Sequence, residues 1–246
     1  MIELPGNLKD ILVCEDVSLS FKENRYYVTE RQKIIAKNIF RLAKVSGKLM
    51  ELMIPYKNAT LLYGPPGTGK TMFGKYIAYK MGLPFCYLNF SKVVDSYMGV
   101  TSRNIAQAFT YASTNPCVFM LDEVDTISCN RERTSSGADR EIGRVTCTLM
   151  QEFDKLANDV VVIAATNRLD ILDKAFVSRC SQKYEMPPFT ADESKQMVNK
   201  FLDDIGISIP DIEIDQVIQK NNAQRTIMAD VIRLIADRLE VEDENS

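Results

Sequence analysis

The chain has 246 residues, 46% of them apolar and 26% charged, with a net charge of -3 and no histidine. That length sustains one large core with a smaller unit beside it, and the slight acidity argues against a general polyanion binder. Without histidine there is no Ser-His-Asp triad, Cys-His pair or HExxH zinc site, so any chemistry falls to carboxylates, Lys, Arg, backbone amides or an oxygen-held metal.

The opening MIELPGNLKD carries no basic stretch followed by an apolar one, so no secretory leader is expected. Nor does any apolar run approach the roughly 20 residues of a membrane span. Cys14, Cys86, Cys117, Cys129, Cys147 and Cys180 include no CxxC pair, and several lie in apolar runs. They read as reduced, buried, structural thiols of a cytoplasmic protein. Residues 1–55 form an N-terminal segment in which Ile35, Ile39, Leu42, Val45 and Leu49 mark one amphipathic helix. Its other face is basic: Arg31, Lys33, Lys37, Arg41, Lys44 and Lys48. Such a face is either plainly solvated or a surface for nucleic acid, although no helix-turn-helix signal or aromatic-basic stacking surface accompanies it.

From Ala59 onward the apolar bursts ATLLY, FCYLNF, CVFMLD and VVVIAAT, with a weaker KYEM, alternate with segments of helical length. That alternation predicts βαβ units: an α/β fold with a five-stranded parallel sheet between two helical layers, over residues 56–188. Between the first strand and its helix stands GPPGTGKT, which fits G-x-x-x-x-G-K-[ST] at Gly64, Gly69, Lys70 and Thr71. Glycines let successive N–H groups turn toward phosphate oxygens, and the following helix start adds its dipole. Lys70 would reach the β and γ phosphates and Thr71 would ligate Mg²⁺. Pro65, Pro66, Gly67, Thr68 and Met72 complete the nucleotide-contacting stretch.

VFMLDEVD ends a buried strand in two acids. Asp122 would bind Mg²⁺ through water, Glu123 would polarise the attacking water, and Asp125 reads as a structural group. Just past VVVIAAT, the Asn167 amide would position that water beside the γ-phosphate. The ligands expected are therefore a nucleoside triphosphate and Mg²⁺, with hydrolysis. After Pro187-Pro188 the strand bursts stop. Val198, Phe201, Leu202 and Ile205, then Met228, Val231, Ile232, Ile235 and Leu239, follow helical spacing, so residues 189–240 are expected to form a small all-α unit. Residues 241–246 are expected to be a frayed acidic tail.

Taken together, GPPGTGKT, LDEVD and ATNRLDILDKA with Arg179 make residues 55 to 240 resemble the AAA family of the AAA+ ATPases. The resemblance implies a P-loop NTPase domain followed by a helical lid, with ATP and Mg²⁺ as ligands. It makes Asn167 the sensor 1 residue. Arg179 becomes an arginine finger entering the neighbouring subunit's site; the plainer alternative is a surface ion pair. A finger in trans implies a ring homo-oligomer, usually a hexamer. Phe176 and Ser178 stand where many relatives carry a second arginine. Tyr97-Met98-Gly99 falls at pore loop 1, which grips a polypeptide, or is a buried tyrosine in a turn. The flanking GVTSRN lacks the acidic GES of many relatives, and Asn130 to Arg140 is either the second pore loop or an ordinary solvated loop. MADV, Met228 to Val231, aligns with the segment beside the adenine, which puts Ala229 against the nucleotide. There Met228 replaces the usual Gly and Asp230 the sensor 2 arginine; Arg225 and Arg233 are nearby candidates for that role, or more plainly surface charges.

The function so implied is Mg-dependent ATP hydrolysis in a ring, coupled to remodelling or unfolding a protein substrate through a central pore. The alternatives are action on nucleic acid or loading of a nucleoprotein complex, and a nucleotide-gated switch. With about 55 residues ahead of the core, substrate choice is expected to rely on an adaptor or on that segment itself.

Overall fold

The computed structural model describes residues 4, 6, 8, 9, 11–90, 100–127 and 137–244. The chain divides into two compact units, one of Met1–Phe21, Ile34–Gly64 and Lys70–Glu185, the other of Lys22–Lys33, Pro65–Gly69 and Met186–Ser246.

The first unit is built on a sheet of six strands: β1 (Leu12–Glu15), β2 (Ala59–Tyr63), β3 (Phe85–Asn89), β4 (Val118–Asp122), β5 (Val161–Thr166) and β6 (Gln182–Glu185). Their order is β1-β3-β4-β5-β2-β6. β3, β4, β5, β2 and β6 run parallel, as the alternation of strands and helices requires. The sixth strand is a correction to the expected five. β1 adds to the outer edge of β3 in antiparallel sense, pairing Leu12 with Leu88 and Glu15 with Phe85. An antiparallel edge strand needs no crossover helix, and at four residues it leaves little periodic signal.

Every residue from Val118 to Leu121 is buried, so both faces of the sheet are covered at its centre. On one face Phe119, Leu121, Val162 and Ala164 share a core with Ile105 and Phe109 of α3 (Val100–Thr114) and with Leu149 and Phe153 of α4 (Gly137–Lys155). On the other face α2 (Lys70–Met81) brings Gly74 against Phe85 and Met120. Its Phe73 and Ile77 are fully buried.

The long helix α1 (Glu30–Glu51) has Ile35 and Ile39 buried and all six predicted cations exposed; Lys33 pairs with Glu30. Thr29 and Gln32 cap its start reciprocally, each side chain accepting from the other's backbone N–H. The short helix α5 (Lys174–Arg179) precedes β6.

Cys14 and Cys86 face each other across β1 and β3 and form a disulfide, with Cα atoms 4.2 Å apart. The expected set of reduced thiols fails at that pair, because the register sets the two side chains opposite one another. Cys117, Cys147 and Cys180 are free. Burial pushes the Cys117 and Cys180 thiols up to about 12, as suits inert packing groups. Cys129 lies outside the described residues.

The second unit is helical: α6 (Ala191–Ile205), α7 (Asp211–Lys220) and α8 (Gln224–Glu244). Its core gathers Val198, Leu202, Val231 and Ile235 of the helical spacing read from the sequence, together with Ile214 and Ile227, whereas Ile232 and Leu239 of that spacing are exposed. α6 opens with a Thr190–Glu193 capping box and closes at Gly206, whose φ of 71° is left-handed. Among the described residues no helix is long and apolar enough to cross a membrane.

Candidate functional site

Three parallel strands, β2, β4 and β5, end on the same edge of the sheet, and the candidate residues follow those ends. Tyr63 pairs with Thr166, and Leu121 with Ala164. The Gly64 N–H donates to the Thr166 carbonyl at 3.3 Å, joining the start of the phosphate loop to the end of β5. Gly67 and Gly69 hold φ of 79° and 82°, a conformation that side chains resist, which is why the motif places glycine there. Gly67 is confined sterically as well: an added Cβ would stand 3.2 Å from the Ala223 Cβ. Its carbonyl accepts the Arg225 N–H at 3.3 Å, and the Thr68 hydroxyl donates to the Pro65 carbonyl at 3.0 Å.

Lys70 opens α2 and is 7% exposed. Its Nζ donates to the Gly64 carbonyl at 2.8 Å. The Thr71 hydroxyl donates to Asp122 Oδ2 at 2.7 Å, and the Glu123 N–H donates to Asp122 Oδ1 at 3.0 Å. Burial raises the Asp122 carboxyl above its ordinary value, opposed by those two hydrogen bonds and by the Lys70 charge. The carboxyl thus sits where a nearby cation would hold it ionised. Glu123 has φ of 55°, unusual for a residue with a side chain and characteristic of strained functional positions. Its carbonyl accepts the N–H and the hydroxyl of Thr126, starting the 3₁₀ turn Val124–Ile127.

Asp125 lies in that turn and accepts the Thr166 hydroxyl at 2.8 Å and the Asn167 N–H at 3.4 Å. The Asn167 carboxamide makes no hydrogen bond among the described residues. So Lys70, Thr71, Asp122, Glu123 and Asn167 belong to one connected set at the strand ends.

Arg179 stands apart, at the end of α5. It binds Asp154 in bidentate fashion, Nε to Oδ1 and Nη2 to Oδ2 at 2.8 Å each, and donates through Nη1 to the Ala175 carbonyl at 3.0 Å. The hydrogen bonds from Arg179 hold the Asp154 carboxyl below its usual range, and the same pairing raises the guanidinium. Met72 is 45% exposed on α2. Ala229 is exposed on α8, beside Asp230, which accepts from Asn221 and Arg233. Tyr97, Met98 and Gly99 lie outside the described residues, as do residues 130–136.

Sequence reading missed two residues here. Thr166 carried a signal, being the one polar residue of its otherwise apolar strand. Asp154 carried none, since its partner comes from a different helix.

Residues 60–188 match the family model described as "ATPase family associated with various cellular activities (AAA)". The chain is 34% identical over 166 residues to the 26S proteasome regulatory subunit 6B homolog of Aspergillus niger, covering 65% of this chain and 39% of that protein. To the 6B homolog of Saccharomyces cerevisiae it is 32% identical over 200 residues, covering 79% and 47% respectively. To the 26S proteasome regulatory subunit 10B of Dictyostelium discoideum it is 42% identical over 133 residues, covering 52% and 34%. The chain thus spans less than half the length of each of these curated relatives.

Proposed function

The chain belongs to the AAA family of ATPases, and on that premise we propose that it hydrolyses ATP with Mg²⁺ at the cluster of Lys70, Thr71, Asp122 and Glu123, as one subunit of a ring acting on a polypeptide. The observation that carries this reading is the 2.7 Å contact between the Thr71 hydroxyl and Asp122. It brings together two hard oxygen donors, the kind of partner Mg²⁺ takes, beside the Lys70 ammonium. Those residues fit the ion. When bound, Mg²⁺ supplies charge neutralisation to the β and γ phosphates.

Lys70 would exchange the Gly64 carbonyl for phosphate oxygens, while the N–H groups of the loop orient the triphosphate. Glu123 would accept the proton of the attacking water, and the unengaged Asn167 carboxamide would hold that water in line. Arg179 would meet charge developing in a neighbouring subunit's site. Three features support a polypeptide as substrate: the sequence Tyr97-Met98-Gly99, the family, and relatives named as regulatory subunits of the 26S proteasome.

Two measurements test this. Glu123→Gln is expected to bind ATP and lose turnover; normal turnover would sink the general-base assignment. ATPase activity per subunit is expected to rise steeply with protein concentration. A flat, substantial rate would remove the ring and the trans role of Arg179.

A further inference from the structure

We propose that Asp125 is a positioning residue that aligns Asn167 with Glu123, acting through the hydroxyl of Thr166; this rests on the hydrolysis reading above. Glu123 and Asn167 leave from neighbouring parallel strands, and nothing in the sheet ladder itself fixes one relative to the other beyond the last strand residue. The 3₁₀ turn after Glu123 supplies the missing link. One carboxylate oxygen of Asp125 accepts both the Thr166 hydroxyl at 2.8 Å and the Asn167 N–H at 3.4 Å. The same hydroxyl accepts the Arg168 N–H at 2.9 Å, so its proton has one direction to take, toward Asp125. Asn167 is therefore held at its own N–H and at the residues on both sides, while its carboxamide stays free to act.

The burial of Thr166 strengthens the point. At 1% exposed, a hydroxyl ending an otherwise apolar strand must find a partner. A backbone carbonyl would satisfy it. Instead the partner is a carboxylate two residues from Glu123, which makes the bond charge-assisted and ties it to the turn that sets the left-handed Glu123. Displacing either group by about an ångström would misplace a water held between them, a misalignment that costs up to about 100-fold in rate.

The test is a double-mutant cycle on the full chain, with kcat, KM for ATP, nucleotide affinity and Tm measured for each variant. Asp125→Ala is expected to lower kcat about 10- to 100-fold while nucleotide affinity holds. Thr166→Val should reproduce that loss, and Thr166→Ser should restore the rate by returning the hydroxyl. Asp125→Ala combined with Asn167→Ala should be no slower than Asn167→Ala alone, because both remove one function. Multiplying losses would overturn the proposal, as would a Thr166→Ser variant as slow as Thr166→Val. If Asp125→Ala does not fold, Asp125→Asn enters the same cycle, since it retains an acceptor oxygen but loses the charge. Glu123→Gln separates the two levels. Normal turnover in that variant defeats the hydrolysis site itself, whereas a dead Glu123→Gln with a multiplicative Asp125–Asn167 cycle defeats the positioning role alone.

Discussion

Replacing Gly74 by alanine sets two effects of known size against each other. Gly74 sits in α2, one turn beyond Lys70, where an added Cβ would stand 3.0 Å from Phe85 Cε2 and 3.2 Å from Met120 Sδ. Alanine in a helix interior is favoured over glycine by about 1 kcal/mol. Against that, carbon contacts prefer about 3.5–4.0 Å, so the methyl intrudes by roughly 0.5 Å or more. Met120 has a pliable thioether, but Phe85 is 2% exposed and rigid, and overpacking of this kind costs about 1–3 kcal/mol. Packing wins by about 1 kcal/mol, or roughly 2–4 °C in Tm for a chain of this size. Gly143 in α4 gives the control, because an added Cβ there meets nothing within 4 Å and the helix gain stands alone. Calorimetry should show Tm falling for Gly74→Ala and rising for Gly143→Ala. Nucleotide affinity should weaken only for Gly74→Ala, since that helix carries Lys70 and Thr71. Equal increases in Tm would show that Phe85 and Met120 move at no cost, and the reasoning from rigid packing would fail.

Lys70→Ala is expected to abolish nucleotide binding; an unchanged affinity in a titration refutes the phosphate assignment. Arg179→Ala should lose about 10³-fold or more in turnover. Asp154→Ala should change stability by about 1 kcal/mol or less, because the pair it breaks is partly solvated; a loss of several kcal/mol would mean a buried pair. An alkylating reagent at pH 8 should modify exposed Cys147 before Cys117 and Cys180, whose thiols burial pushes up to about 12. Peptide mapping that finds either buried thiol labelled first contradicts that burial.

The nucleotide end of the fold was legible because its physics writes itself into residue type. Gly67 and Gly69 need positive φ, and two strands buried on both faces need the unbroken apolar runs VFML and VVIAA. Lys70, Thr71, Asp122 and Glu123 could therefore be located by spacing alone. What escaped depends on which chain segments become neighbours. β1 alternates buried Leu12 and Cys14 with exposed Val13, a pattern too short to register until β3 stands beside it. The Cys14–Cys86 pairing follows from that register and from nothing local. Asp125 reads as one acid among three in LDEVD, and only the adjacency of β4 and β5 gives it Thr166 as a partner. Asp154 is an acid in a helix until α5 sets Arg179 against it.

That last pair bears on whether Arg179 is free to serve a neighbouring subunit. Its partner Asp154 is 52% exposed at the side chain and Arg179 is 30% exposed, so their attraction is screened by water. Bidentate geometry puts the pair at the upper end for such contacts, about 1 kcal/mol. A finger worth about 10³-fold in turnover contributes about 4 kcal/mol in the transition state. The difference, roughly 3 kcal/mol on those same figures, favours a developing phosphate charge over Asp154. The internal pair is therefore no obstacle to the proposed role in trans. It supplies a resting place instead, since Asp154 is held below its ordinary carboxyl range and stays ionised at neutral pH. A guanidinium so held samples fewer rotamers between turnovers than one left loose in solvent. On this account Asp154→Ala acts on rate more than on stability, and it does so only where subunits meet.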